Sequence, residues 1–266
     1  DEQVLNKIYF NVATLDQNDC TDSESSTILN AVQEGLVRVY TNEDGTSELQ
    51  PAGAESWETS EDGLTWTFKL RKNSTWSNGT PVTAHDFEYS WKRTLTPETA
   101  AEYSYIMADI VGSSTKEIQE NGVDGVGVKA LDDYTLEVKL NRPVAYFAEL
   151  VSFQVFFPQN QAFVESCGDA YGSAADKQLY NGPFTLTSWK MEDQFTMEKN
   201  PNYWDAANVK LNKINTKVVK DTGAEVSLYE DGQIDRAILS SDYVDKYKDS
   251  KELKTREVAS IFMLQI

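Results

Sequence analysis

Positive charge and histidine are both scarce in this sequence. Its 266 residues hold 24 Lys and Arg against 43 Asp and Glu, which gives a net charge of −19, and they include a single histidine, His85. A surface of that sign repels phosphate backbones and anionic membranes, so we expect no nucleic-acid partner. Any Ser-His-Asp or Cys-His catalytic arrangement would have to use His85.

Cysteine is almost absent too. Cys20 and Cys167 are too few for a disulfide framework, and their spacing does not suit a zinc site. Two interpretations stay open for them. They are either two independent thiols or one long-range disulfide, and the second would suit an exported protein.

Long apolar runs are missing as well. The stretch 144–151 is short beside the roughly twenty apolar residues that cross a membrane. No basic and apolar leader opens the chain, and because it starts at Asp1 without Met we expect an export signal to have been removed before that residue.

Motifs that would mark an enzyme are absent from the sequence. It has no G-x-S-x-G elbow, no H-E-x-x-H pair and no Walker-type phosphate loop. Asp16, Asp19, Asp22 and Glu24 cluster in one acidic segment, but their spacing and the lack of a central Gly do not fit a calcium loop. We therefore expect neither a metal nor another cofactor.

What is present indicates a folded chain of mixed α/β class. Residues are 40% hydrophobic and 11% aromatic, and strand and helix periodicities alternate at both ends of the chain. A strand over 5–13 leads into a polar loop, and a helix follows with Ser25 or Ser26 as its cap.

The middle and last thirds show further elements. Thr65–Leu70 alternates as a half-buried strand, and Thr83 is a good N-cap for the next helix. Residues 126–140 are predicted as a hairpin, and a helix over 144–150 is expected after Pro143. Towards the end, Thr222–Glu230 is predicted as a helix and Ile234–Leu239 as a strand. Hairpins between two α/β stretches indicate one domain inserted into another.

Several sequence blocks follow one another in a fixed order, namely Glu55–Trp57, Asp62–Arg71, Trp76–Ala84 with Asp86, Ser90, Trp91 and Arg93, Val128–Leu136, Asn181–Phe184, Asn200–Trp204 and Gly232–Asp235. This ordered set resembles the substrate-binding proteins of peptide-type ABC transporters, the extracytoplasmic oligopeptide-binding proteins of bacterial family 5. Together they reach over nearly all of the chain, which makes the set far more specific than any single motif.

The resemblance implies a fold and a domain plan. The fold is a periplasmic-binding-protein-like type II lobe with an inserted mixed α/β domain. Residues 1–34 and 154–266 would form the discontinuous first lobe, and 35–153 the β-rich insertion. Family members are usually much longer and close two lobes around a cleft, so we expect this chain to be a fragment that lacks the second lobe.

The resemblance also implies a function and a site. It implies non-catalytic capture of oligopeptides outside the cytoplasm, in the periplasm or on the outer face of the membrane, and delivery to ABC transporter permease subunits. A lipid anchor upstream of Asp1 is the expected membrane link. The ligand-contacting positions would be Thr21, Asp22, Ser23, Glu24, Tyr103, Tyr105, Ile238, Leu239 and Ser240. Alternatives are another cargo, namely a signalling peptide, a glycan or a metal chelate, and more distantly a hydrolase.

The residues of these blocks can also be interpreted without the family resemblance, as residues of the core and of turns. The large aromatics within them are expected in the core, namely Trp66, Phe68, Trp76, Trp91, Tyr203 and Trp204. Asn78-Gly79 and Asn181-Gly182 are expected to supply backbone at positive φ. The apolar residues Ile261, Phe262, Met263, Leu264 and Ile266 are expected to lack their cover and to favour self-association.

Overall fold

A computed structural model describes residues 3–42, 44–219 and 222–255. The apolar run 261–266 lies outside the described residues. The strands are β1 Val4–Tyr9, β2 Val37–Thr41, β3 Ser47–Pro51, β4 Ala54–Thr59, β5 Thr65–Leu70, β6 Val128–Asp132, β7 Thr135–Lys139, β8 Phe184–Lys190, β9 Gln194–Lys199 and β10 Lys213–Val218. The helices are α1 Ser23–Val32, α2 Ala84–Leu95, α3 Thr115–Asn121, α4 Phe147–Leu150, α5 Gln161–Cys167, α6 Thr222–Glu230 and α7 Ser241–Tyr247.

One sheet joins the two ends of the chain. Its strand order is β1-β10-β9-β8, and β1 runs parallel to β10 from the pair Val4–Lys213 to the pair Tyr9–Val218. The strands β8, β9 and β10 pair antiparallel. Helix α1 packs on this sheet, and the core between them includes Leu15, Ile28, Leu29, Leu186 and Phe195.

A second sheet lies in the middle of the chain. It is antiparallel with the order β4-β5-β7-β6, while β2 and β3 form a separate hairpin. On β5 the alternation predicted from the sequence holds, because Trp66, Phe68 and Leu70 are buried. The apolar core of this part also contains Val155 and Leu179, so packing crosses the predicted boundary at residue 153. The division into lobe and insertion stays a prediction.

The start of α2 is fixed by a buried carboxylate. As the sequence predicted, Thr83 caps the helix, and its backbone N–H donates to Oδ2 of Asp86 at 2.9 Å. The indole N–H of Trp76 donates to the same oxygen at 3.1 Å. Burial raises the pKa of Asp86 to about 6, although both hydrogen bonds and the charge of His85 act in the opposite direction.

The far side of α2 binds the loop that follows β1. The Arg93 guanidinium donates to both carboxylate oxygens of Asp16, at 3.0 and 2.7 Å, and the Asp16 side chain is nearly inaccessible. The next residue, Thr94, donates from Oγ1 to Asn18 Oδ1 at 2.7 Å, and one turn earlier Ser90 Oγ accepts from Gln17 Nε2 at 3.0 Å. Asp16, the first residue of the acidic segment, is thus paired with an arginine.

Four local predictions were wrong, and contacts from distant parts of the chain decide two of them, at 234–239 and at Gly182. The cap of α1 is Asp22, whose Oδ1 accepts the Ser25 N–H at 2.6 Å, and not Ser25 or Ser26. The predicted helix 144–150 is reduced to α4. Among the described residues Ile234–Leu239 forms no strand, and its pairing there is one isolated parallel bridge, from Arg236 to Lys7.

The fourth error concerns glycine conformation. Gly79 has φ of +84°, as expected, but Gly182 is not among the positive-φ residues. A Cβ on Gly182 would lie 2.6 Å from the backbone nitrogen of Gln33. The residue is glycine because the 181–183 turn lies directly against the end of α1, where the Gly182 N–H donates to the Val32 carbonyl at 3.0 Å.

The buried ion pair predicts a large mutational effect. Arg93→Met leaves the Asp16 carboxylate buried without its partner, so we expect the free energy of unfolding in urea to fall by about 3–5 kcal/mol. Arg142→Met is the matched control, because Arg142 also binds a carboxylate through two nitrogens, that of Asp109, but its side chain is 60% exposed. We expect the control to change stability little. Equal losses in the two variants would contradict the dependence on burial.

Asp86 predicts a pH dependence of stability. The folded protein keeps this carboxyl neutral up to about pH 6, whereas the unfolded chain ionises it near its usual 3.8. The stability due to this group is therefore complete below about pH 4 and is lost as the pH rises through 6. Asp86→Asn keeps an acceptor oxygen and never ionises. Relative to the wild type, we expect it to gain up to about 3 kcal/mol between pH 4 and pH 7 in urea unfolding.

The control for that experiment is the fully exposed Asp62, whose pKa is lowered by hydrogen bonds from Ser60 and Leu64. Asp62→Asn should show no such gain with rising pH. A constant difference between Asp86→Asn and the wild type across this range would show that Asp86 ionises normally in the fold.

Candidate functional site

The carboxyl end of β1 faces the first turn of α1. Tyr9, the last residue of β1, is half-buried, and burial raises the pKa of its phenol, with the nearby charges of Glu24 and Asp22 adding to the effect. The next residue, Phe10, is 47% exposed. The carboxyl ends of parallel strands are where α/β folds hold their ligands, and here that edge presents exposed aromatic surface.

Two of the predicted groups meet at this place. The Tyr103 hydroxyl donates to the backbone carbonyl of Thr21 at 3.5 Å. Its ring contacts Phe153 edge-on at 5.4 Å and lies 6.2 Å from the ring of Tyr105, measured between centroids. Tyr105 itself is 68% exposed. The structure thus joins the Thr21 loop, which comes before α1, to a tyrosine pair that comes 82 residues later.

The other members of the predicted loop have structural partners. Asp22 uses its side chain to cap α1, and Ser23 and Glu24 form the first turn of that helix, where Ser23 Oγ donates to Glu24 Oε2 at 3.1 Å. Ser23 is exposed and Glu24 half-exposed. The backbone at Thr21 and the open side of this first turn are what remain accessible to a ligand.

The third predicted group is Ile238, Leu239 and Ser240, and the residues just before it contact β1. Asp235 binds Asn6 in both directions: its backbone N–H donates to the Asn6 carbonyl at 2.8 Å, and its Oδ2 accepts the Asn6 N–H at 2.6 Å. Lys7 and Arg236 then form the parallel bridge, so the two segments run the same way at this point. Ile238 is 62% exposed.

The structure does not bring all nine predicted residues into direct contact. Within the described ranges, no hydrogen bond or ring contact joins the group 238–240 to the Thr21–Tyr103 pair. Both groups adjoin β1. Tyr9, the last residue of that strand, lies close to Glu24 in the first turn of α1. Lys7, two residues earlier, forms the bridge to Arg236. Whether these residues contact a ligand stays a prediction.

Sequence reasoning missed Tyr9 and Phe10, which were treated only as part of a strand. The signal available was an aromatic pair directly before a polar loop. It also missed a buried cluster at the end of α1. There the Glu34 carboxylate accepts hydrogen bonds from the Tyr203 hydroxyl at 2.5 Å and the Trp204 indole at 2.6 Å, and burial raises its pKa.

Both cysteines are free thiols, so the disulfide alternative is not realised in the structure. Cys20 is buried with its Sγ 3.7 Å from the Asp22 carbonyl and 4.0 Å from Gln154 Nε2. Cys167 ends α5 and is half-buried. Burial raises the pKa of the Cys20 thiol to about 11, with the Asp22 charge adding to the effect.

The surroundings of His85 do not resemble a Ser-His-Asp or Cys-His arrangement. Its Nε2 lies 3.3 Å from Asp133 Oδ1, and both side chains are well exposed on the surface. In residues 3–42, 44–219 and 222–255, no three His, Cys, Asp or Glu side chains come together in a way that could hold a metal ion. The same part of the chain contains no helix long and apolar enough to cross a membrane.

The structure is a mixed α/β fold, and comparison with known proteins gives the family. The model of the bacterial extracellular solute-binding proteins, family 5 Middle, matches residues 48–265. The dipeptide-binding protein DppE of Bacillus subtilis is 37% identical over 234 residues, which are 88% of this chain and 42% of that protein. This chain belongs to the family-5 extracellular solute-binding proteins, which confirms the resemblance read from the sequence.

Solved structures agree on the fold. The substrate-binding domain of an oligopeptide ABC transporter from Bacillus anthracis superposes with a TM-score of 0.90 at 46% identity, over 94% of this chain and 48% of that one. OppA of Listeria monocytogenes, solved bound to peptide, superposes with 0.87 at 40% identity, over 94% and 49%. The fold is therefore the predicted type II binding-protein fold, and the chain spans about half the length of these relatives.

The two thiols give a direct chemical test. In denaturant without reductant, we expect two reactive thiols per chain with Ellman's reagent. In the native protein at pH 8, Cys167 should react first and Cys20 only as the structure opens, because its buried thiol is not ionised at that pH. Cys167→Ser should leave a single slow thiol. A denatured chain with no reactive thiol would show that the two cysteines are bonded.

Proposed function

We propose that the protein containing this chain captures oligopeptides outside the cytoplasm and delivers them to an ABC transporter. The chain supplies one wall of the binding cleft, and the rest of the protein supplies the other. Support comes from the relatives, which are named as dipeptide- and oligopeptide-binding proteins, one of them solved with a peptide in place. The partners are then the peptide and the permease subunits of the transporter.

The exposed apolar surface around the end of β1 is the observation that carries this proposal. Phe10, Tyr105 and Ile238 are 47, 68 and 62% exposed, which leaves three large apolar side chains open to a ligand. Beside them, the backbone at Thr21 and at 238–240 lies outside the sheets formed by the described residues. Apolar side chains next to backbone outside a sheet suit an extended peptide of varied sequence.

The capture is non-catalytic in this proposal. The predicted site has no histidine, and its cysteine neighbour Cys20 is a buried thiol whose pKa is raised to about 11. Its two carboxylates have structural partners, since Asp22 caps α1 and Glu24 accepts from the Ser23 hydroxyl. A hydrolase would need an activated nucleophile or a pair of positioned carboxylates. The lipid anchor expected upstream of Asp1 stays a prediction.

Calorimetric titration of the intact protein with a mixture of short peptides tests the proposal. We expect stoichiometric binding, and peptides recovered unchanged after hours of incubation. Tyr105→Ala should weaken the affinity about tenfold, which corresponds to about 1.4 kcal/mol, because it removes an exposed aromatic contact from the site. Tyr40→Ala is the matched control, since Tyr40 is 49% exposed in the separate β2–β3 hairpin.

The control should bind as the wild type does. Cleavage of the peptides by the wild type would replace capture with hydrolysis. Equal losses in Tyr105→Ala and Tyr40→Ala, or none in either, would remove Tyr105 from the site.

A further inference from the structure

The segment 235–240 is held in place without a strand ladder. Its first residue, Asp235, is tied to Asn6, and Arg236 makes the single bridge to Lys7. After that bridge the segment forms no further pairing with β1 among the described residues. The backbone N–H groups after the bridge therefore need hydrogen-bond partners other than β1.

One such partner is a buried carboxylate on α6. The backbone N–H of Ile238 donates to Oε1 of Glu225 at 3.0 Å, across 13 residues of sequence. Glu225 is only 7% exposed, and burial raises its pKa while the charge of Arg236 lowers it. A hydrogen bond from a backbone amide to a carboxylate is stronger than an ordinary backbone bond. A buried carboxylate without any partner would cost stability.

The turn that connects α6 to the segment 235–240 places the Glu225 carboxylate within hydrogen-bond distance of the Ile238 N–H. The helix ends in a turn in which the Gly232 N–H donates to Tyr229 and the Gln233 N–H to Leu228, with Gly232 at φ of +68°. The chain then returns along α6, and Ile234 is buried at 4% exposure. This return brings the Ile238 amide to the Glu225 carboxylate, which lies earlier on the helix.

The backbone and the side chain of Ile238 are in opposite situations. Its N–H is bound to a buried group, whereas its side chain is 62% exposed. Burial of the side chain therefore contributes little to holding this residue. The hydrogen bond to Glu225 fixes the backbone direction while leaving the side chain free for contact.

We propose that Glu225 is a positioning residue for peptide binding, because its carboxylate fixes the backbone from which Ile238, Leu239 and Ser240 face the ligand. Glu225 itself does not touch the peptide. This inference rests on the proposed function, since it gives the segment 238–240 a part in peptide capture.

Three variants of the intact protein test the role. Glu225→Leu removes the acceptor, and we expect the affinity for peptide to fall about tenfold or more. Glu225→Gln keeps an acceptor oxygen at the same place, so it should bind within about threefold of the wild type. Glu230→Leu is the control on the same helix, because Glu230 binds Lys246 and Tyr247 on the surface, and its peptide affinity should not change.

Amide hydrogen exchange without peptide gives a readout that needs no variant. The Ile238 amide of the wild type should be protected, whereas an amide free in solution exchanges without protection. In Glu225→Leu, protection at Ile238 should be lost at temperatures where the rest of the core stays protected. A residue that only stabilises the fold would instead lower protection throughout the lobe.

Several outcomes overturn the inference. They are an unprotected Ile238 amide in the wild type, unchanged peptide affinity in Glu225→Leu, or Glu225→Gln binding as weakly as Glu225→Leu. Should Glu225→Leu not fold, the wild-type exchange and the Gln variant decide the matter. If the wild type binds no peptide at all, the proposed function fails and this role with it. If the wild type binds and the variants match it, only the role of Glu225 fails.

Discussion

A guanidinium placed out of water needs a carboxylate and further hydrogen-bond acceptors around it, and Arg93 finds them in Asp16 and Gln159. This ion pair joins α2, which packs on the central sheet, to the loop that leaves β1. A few residues later the same loop carries Thr21 and the cap of α1. The position of the candidate site thus depends on a contact that does not itself form part of that site.

A second buried carboxylate closes the opposite end of α1. Glu34 accepts from Tyr203 and Trp204, and the Arg71 guanidinium lies 3.7 Å from the Trp204 ring centroid. Asn181 completes the contact, because its side chain exchanges two hydrogen bonds with the Glu34 backbone. The two ends of α1 are therefore fixed by different polar clusters, each of which satisfies its buried charges with several donors.

The sequence predicted well those elements whose pattern is local. Alternation placed β5 and its buried face correctly, and the cap at Thr83 and the bounds of α6 held, because capping and periodicity act within a few residues. It failed at 234–239, where the outcome depends on Asn6 and Glu225 from distant parts of the chain. It failed at Gly182 for the same reason, since the constraint there is the approach of Gln33.

The candidate site shows why function was harder to read than fold. The blocks that identify the family contain side chains with demanding buried partners, such as Asp86 with Trp76 or Asn181 with Glu34. Positions at the candidate site differ from these, because the Thr21 carbonyl accepts from Tyr103 and Ile238 has an exposed side chain on a backbone that is bound to Glu225. Backbone groups carry no sequence signal of their own, so only the residues that support them, the partly buried Tyr103 and the buried Glu225, can show from the sequence where such a site lies.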